Sequence, residues 1–290
     1  LEGPALAPPP GIVPNFTGPP NQDALGYALL ITGLSLSVIA VVIRLYAKIF
    51  CVKVRDRRLY VDSGVYAGCQ YFIIRVLQFP GIYVYQWNIR LKDLSGILYV
   101  SSTGSGSSHE ALTSLGISVL APLCTQGILL EWIHLSAPRG LRNTSFWTYH
   151  VTIWINVMFY IACTIVEIFG CHPREKFWNK LILGGSCVNL QAVILASSVL
   201  NFVSDLIVLA LPQKTIWSLQ MSLRKKVDVS AIFAIGIFGC VCGTVRMIHS
   251  IKLLSSDDVT YTLSPVGLWC VVEITSEFLI FCIPSIPKAV

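Results

Sequence analysis

Residues 190–211 read LQAVILASSVLNFVSDLIVLAL, a stretch broken by one ionisable side chain, Asp205. At 1.5 Å per residue a helix of this length spans roughly 33 Å, enough for the hydrocarbon core of a bilayer. Six more runs of the same character occupy 24–43, 63–85, 111–130, 147–169, 229–250 and 263–283. They are too long and too continuously apolar for the strands of a membrane barrel, which alternate over about 10 residues. The expected fold is therefore all-α: a seven-transmembrane helix bundle over 24–290, preceded by an extended Pro-rich arm at 1–23. Composition points the same way. Charged residues make up only 12% of the chain and hydrophobic ones 54%, whereas soluble domains carry about a quarter charged residues. With a mean hydropathy of +0.69, a soluble protein is excluded.

Charge decides which way round the bundle sits. Arg44, Lys48, Lys53, Arg55, Arg57 and Arg58 follow the first run, and Arg139 and Arg142 the third. Lys214, Arg224, Lys225 and Lys226 follow the fifth, and Lys288 lies at the end. The opposite loops hold Arg90, Lys92, Arg174, Lys176, Lys180 and Lys252, and the arm holds no basic residue. The positive-inside rule then places the N-terminus outside or lumenal and the C-terminus in the cytosol. The net charge of +6 reflects this topology and contact with anionic lipid rather than a nucleic-acid surface. The first run has no basic flank before it and no small-residue cleavage site after it, so it is expected to remain as a helix. Asn15-Phe16-Thr17 in the arm is a glycosylation sequon on the side where sugar is added. Cys171 and Cys187 share the loop between the fourth and fifth runs, on the oxidising side, and are expected to form a structural disulfide. The other eight cysteines lie within or at the ends of apolar runs and read as small buried hydrophobes.

Charges inside the runs are the best clue to function. Each costs roughly 2.5–3.5 kcal/mol in the bilayer and needs a partner inside the bundle. Depth along the helices suggests two ion pairs, Arg75 with Glu273 near mid-membrane and Arg246 with Glu167 near the outer end. Asp205 and Glu277 then lie at one depth in the cytosolic half without an evident cation. Glu273 and Glu277, four apart, share a helix face with Trp269, and Asn201 shares one with Asp205. Both faces can line one polar cavity. In it Asp205, Glu277 and Glu273 are the candidate catalytic acids, and Arg75, Asn201, Trp269, Arg246 and Glu167 the candidate binding residues. Two carboxylates close together in low dielectric do not easily both ionise, so one would hold a proton near neutral pH. That proton could serve a general acid, a relay or a structural hydrogen bond.

Other chemistries find no support in spacing. His134, His150 and His249 are not placed as pairs for metal ligation, and Cys240-Val241-Cys242 lacks a zinc spacing. The stretch SSTGSGSS at 101–108 lacks the Lys and following helix of a phosphate-binding loop. No Ser, His and Asp or Cys and His constellation can be argued. Neither a metal nor a cofactor is expected.

Several stretches carry a resemblance: LLEWIHLSAPRGLRN at 129–143, CHPREKFWNK at 171–180 with GGSCVN at 184–189, NFVSDLIVLALPQKTIWSLQMSLRKKVDVSAIFAIGIFGC at 201–240, and SSDDVTYTLSPVGLWCVVEI at 255–274. PPPGIVPNF in the arm, RLYAK at 44–48 and YQWNIRLKDLS at 85–95 extend it. Together they resemble the fungal rhodopsin-like seven-transmembrane integral membrane protein family of filamentous fungi. The resemblance covers nearly the whole chain and implies the seven-helix fold. It does not imply one function, since the family includes satratoxin-cluster-type membrane proteins and Pth-type receptors linked to host sensing. Four positions depart from the family pattern. Asp62 is followed by Ser63 where a paired Asp is usual, Gln126 stands where a basic residue is common, His134 replaces an Arg, and Arg75 is unusual inside the second run. These changes alter the charged face of the bundle, so no generic mechanism carries over.

A retinal protein needs a Lys in the seventh helix, and none precedes Lys288. A receptor coupled to a G protein would ordinarily show an Asp-Arg-Tyr-like triplet and an Asn-Pro motif. This chain has Glu131-Trp132-Ile133 and IPSIP at 283–287, and signalling is expected to rest on its short loops unless more chain follows Val290. The preferred expectation is a multi-pass membrane protein of secondary-metabolite biosynthesis, an acid-dependent cyclase or isomerase acting on a lipophilic intermediate. It would reside in the plasma membrane or an endomembrane, with the bilayer and a lipophilic small molecule as partners and no nucleic acid. The alternative is a Pth-type sensor that engages a G protein.

Overall fold

The computed structural model describes residues 2–46, 82–91, 144–173, 176, 184–217 and 223–282. Five long helices dominate: α1 (Asp23–Tyr46), α2 (Thr144–Phe169), α3 (Leu190–Trp217), α4 (Leu223–Leu254) and α5 (Val259–Cys282). A single 3-10 turn at Gln86–Asn88 and two short antiparallel strands, β1 (Cys171–His172) and β2 (Ser186–Cys187), complete the regular structure among the described residues. Among the described residues, four stretches are long and apolar enough to cross a membrane: Asp23–Arg44, Leu190–Ala210, Phe233–Leu254 and Val259–Ile280. A shorter apolar stretch, His150–Cys163, lies within α2. The chain is thus an integral membrane protein of mainly helical fold. The third run at 111–130 and Arg75 lie outside the described residues, as does most of the second run. Ile82 to Tyr85, read as the end of that second run, form a turn followed by extended backbone; Pro80 and Gly81 just before them are poor helix formers.

Helices α4 and α5 form an antiparallel hairpin through the connector 255–258, and α3 packs beside α4 with its first turn at the same end, where Gln191 Nε2 lies 3.5 Å from the Ser256 carbonyl. Helix α1 packs along α5. Ala40 meets Ile274, Phe278 and Cys282 at one end, and Leu30 meets Leu268 and Val271 at the other. The two helices approach closely because Gly33 has no side chain: a Cβ there would lie 3.0 Å from Thr275 Oγ1, the small-residue contact typical of membrane bundles. Ile31, Val38 and Val42 on α1 and Trp154, Met158 and Phe169 on α2 are more than half exposed. In lipid such a surface carries no penalty.

The arm is packed rather than loose. Ala5 N–H donates to the Ile89 carbonyl at 2.9 Å and Leu91 N–H to the Gly3 carbonyl at 3.0 Å, with Pro4 bridged to Arg90. Asn15, which is exposed, donates its backbone N–H to Asn88 Oδ1 at 3.1 Å, and the Arg90 guanidinium lies 5.4 Å from the Phe16 ring centre. Within 82–91 exposure alternates. Ile82, Val84, Gln86 and Asn88 are buried, while Tyr83, Tyr85 and Trp87 are half-buried. Tyr85 stacks between Trp87 and Tyr261 at 4.3 Å on each side. Side chains from the helices hold this segment by its backbone: Asp23 Oδ1 accepts from Ile82 N–H at 2.7 Å and Ser264 Oγ from Tyr83 N–H at 2.9 Å. Asp258 has two tasks. It caps α5 by accepting from Tyr261 N–H at 3.2 Å, and it accepts from Gln86 N–H at 3.2 Å. At the same end of the bundle the expected disulfide between Cys171 and Cys187 is present, joining the end of α2 to the start of α3 through the β1–β2 pair.

Burial pushes the Asp258 carboxyl above the usual aspartate range, against the pull of its Tyr261 and Gln86 backbone partners. A carboxyl that gains proton affinity on folding adds stability at low pH, which is lost as pH rises through the raised value. Asp258→Asn keeps an acceptor but does not titrate. The difference in melting midpoint, wild type minus Asp258→Asn, should therefore shrink between about pH 3 and pH 7, while Asp258→Ala should lose roughly 1 kcal/mol throughout from the missing cap. A difference that is flat with pH would refute this account.

Candidate functional site

The polar interior is built where α3, α4 and α5 meet. Arg246 of α4 and Glu273 of α5 form a buried ion pair, 4% and 2% exposed. Arg246 Nε donates to Glu273 Oε2 at 2.5 Å and Nη2 to Oε1 at 2.8 Å, a two-pronged match of guanidinium and carboxylate. Nη1 lies 3.3 Å from Ser198 Oγ of α3, and that hydroxyl shares a 2.9 Å hydrogen bond with Ser250 of α4. Asp205 of α3 and Glu277 of α5 join Glu273, with carboxylate oxygens of all three within 4.8 Å of one another. Asp205 is half-buried overall, yet its Oδ2 is shut off from solvent and accepts no hydrogen bond. Gly243 faces this gathering. A Cβ there would stand 3.6 Å from both Asp205 Oδ2 and Glu273 Oε1, and 3.7 Å from Phe202. Three carboxylates so close could embrace a cation, but Arg246 already takes both oxygens of Glu273 and occupies that side.

Helix α2 closes the site with polar groups one turn apart. Tyr160 Oη donates to Asn201 Oδ1 of α3, and Asn156 Nδ2 donates to Ser204 Oγ at 2.9 Å. In a bilayer each such group needs a partner, so these contacts register α2 against α3 as well as lining the site. Tyr160 lies within electrostatic reach of Arg246 and Glu277. Tyr160, Asn156, Ser198 and Ser250 join the candidate site only in three dimensions. The signal was present in the spacing of Asn156 and Tyr160, and of Ser198 with Asn201 and Asp205, each pair on one helix face.

The structure brings together Asp205, Glu273, Glu277, Asn201 and Arg246. Trp269 is half-buried one turn before Glu273 on α5. Arg75 and the Glu167 side chain lie outside the described residues. The expected ion pairs need correction: Glu273 is the partner of Arg246. The depth estimate ended the helix at 250, whereas α4 continues to Leu254 and α5 starts at Val259. The four extra residues set Arg246 about one turn further from the helix end, and its long side chain spans the rest. An open apolar cavity of about 430 Å³, lined by Trp147, His150, Val151, Trp154 and Ile155, is not part of the site. At 100° per residue it lies on the face of α2 opposite Asn156 and Tyr160.

Helices long and apolar enough to cross a membrane, packed around a buried layer of acids and a guanidinium, mark an integral membrane protein with a polar core. Residues 128–290 match the fungal rhodopsin domain, and the chain belongs to that family. It is similar to fugralins biosynthesis cluster protein 2 of Gibberella zeae, 33% identical over 99% of this chain and 71% of that protein. It is also similar to a SAT4 family membrane protein of Emericella nidulans, 40% identical over 53% of this chain and 38% of that protein. Satratoxin biosynthesis SC1 cluster protein 4 of Stachybotrys chartarum is 26% identical over 47% of this chain and 54% of that protein. No solved structure matches the chain.

Removing one member of a buried ion pair strands the other. Arg246→Met should cost about 3–5 kcal/mol, and the double variant Arg246→Met/Glu273→Leu should recover most of the loss. Melting midpoints of the purified variants in nanodiscs check this; strictly additive losses would show that the pair does not act as a unit.

Proposed function

We propose that the protein is an acid-dependent cyclase or isomerase that acts on a lipophilic intermediate of fungal secondary metabolism. The observation that carries the reading is one guanidinium facing three carboxylates inside membrane-spanning helices. Glu273 matches Arg246, and Asp205 and Glu277 remain side by side. Such a pair in a low-dielectric interior holds one proton between them. The proton can pass to an alkene or epoxide of a bound substrate, and the resulting carboxylate can later remove a proton from a neighbouring carbon. Composition is unchanged, so the chemistry needs no cofactor. The relatives named for fugralin and satratoxin biosynthesis support the metabolic setting.

In this reading seven helices cross the membrane, the arm with Asn15 is outside or lumenal and available for glycosylation, and the C-terminus is cytosolic. Protease added to sealed cells or vesicles should then remove an epitope at the N-terminus and spare one at the C-terminus. The reverse pattern would overturn the orientation.

Expression in a yeast host with the other enzymes of its native pathway tests the chemistry. Asp205→Asn and Glu277→Gln should each reduce the final product by roughly 10²-fold or more, the usual range for loss of general acid catalysis, with normal protein levels in the membrane. Unchanged metabolites in both variants would sink the enzymatic reading.

A further inference from the structure

Arg246 carries five N–H hydrogens and cannot shed one. Its side chain is buried, and its bonds are few: Nε and Nη2 to Glu273, and Nη1 to Ser198. Three hydrogens are engaged. Two remain without an acceptor among the described residues, one on each terminal nitrogen. Buried donors are nearly always satisfied, so two left on one side chain at the centre of a polar layer point to an acceptor brought by a ligand. Glu273 holds the edge made by Nε and Nη2, which leaves the end of the guanidinium to face that ligand.

Resting on the acid-centre reading above, we infer that Arg246 receives the carbonyl oxygen of a neutral, lipophilic substrate. A carbonyl oxygen has two lone pairs and accepts from two converging donors. An anionic group fits badly, because Glu273 already balances Arg246 and the carboxylates of Asp205 and Glu277 stand next to it. The substrate is lipophilic because the site lies within Phe233–Leu254 and Val259–Ile280, both of membrane-spanning character. Gly243 lies three residues before Arg246, on the same helix face. A carboxylate oxygen of Asp205 lies within 4.8 Å of one of Glu273, the partner of Arg246, so Asp205 is the acid nearest to the carbon beside a carbonyl held on Arg246.

This placement defines a balanced step. A C–H bond beside the carbonyl breaks and its proton passes to the carboxylate half of the Asp205–Glu277 pair. The released electrons form the enol C=C bond, and the carbonyl π electrons move onto oxygen, where Arg246 stabilises the charge. In a substrate with a β,γ double bond the enolate is a dienolate. The proton that the pair already held adds to the γ carbon, the electrons on oxygen reform the carbonyl, and the double bond moves next to it. The substrate is isomerised with no oxidant, reductant or co-reactant.

The test uses the purified full chain in nanodiscs with 2-dodecanone labelled with carbon-13 at the carbonyl, read by isotope-edited infrared spectroscopy. Wild type should show a saturable carbonyl band at lower frequency than the ketone in empty nanodiscs. Unlabelled 2-dodecanone should displace it, and dodecanoate should compete at least tenfold more weakly. Arg246→Lys keeps the charge for Glu273 but has no planar fork and should lose the band. Asp205→Asn and Glu277→Gln should keep it. Absence of the band in wild type, its survival in Arg246→Lys, or equal competition by dodecanoate would overturn the inference. The wild-type arm decides alone if the Lys variant does not assemble, and Ser198→Ala, which leaves the fork in place, must retain the band. Loss of product without loss of the band, or the band without any acid-dependent product, separates the binding inference from the catalytic one.

Discussion

The ion pair between Arg246 and Glu273 is the constraint around which the described bundle is organised. Neither charge is tolerable alone in a bilayer interior, and together they are acceptable only with close, two-pronged geometry and their remaining atoms engaged. That requirement holds α4 against α5 and draws Ser198 of α3 toward them. It also places Asp205 and Glu277 beside a cation that Glu273 has already claimed. The acid layer is thus a consequence of the pair: two further carboxylates share its neighbourhood without sharing its charge balance.

The arm side of the molecule obeys a different rule. There the problem is backbone polarity rather than charge, because an irregular segment near the membrane must find partners for its N–H groups. Residues 82–91 do so by borrowing side chains from the helices: Asp23 from α1, Ser264 from α5 and Asp258 from the connector. The aromatic stack of Trp87, Tyr85 and Tyr261 covers the same join. The result links the start of α1, the arm and the start of α5. Asp258 is the common point, since it both caps an apolar helix long enough to cross a membrane and holds the segment 82–91.

Hydropathy alone located the described helices, because a span needs a continuous apolar run and the bilayer sets its length. The Cys171 and Cys187 pairing was legible because both residues fall in one short loop. Helix periodicity placed Glu273 with Glu277 and Asn201 with Asp205 on common faces, and these faces do meet. The ion-pair assignment went wrong because it depended on depth, and depth depends on where each helix ends. A shift of four residues at the end of α4 moves a side chain by about 6 Å.

What the amino-acid sequence determined by itself is therefore one-dimensional: membrane character, helix positions, and which polar residues share a face. The tertiary structure alone decided which faces meet and at what height. It gave Glu273 to Arg246, brought Tyr160 to Asn201, and left Asp205 beside Glu277. The physical reason is that partner choice among buried charges follows distance. Distances between helices are set by small residues, connector lengths and helix ends acting together, none of which is encoded at the charged positions themselves.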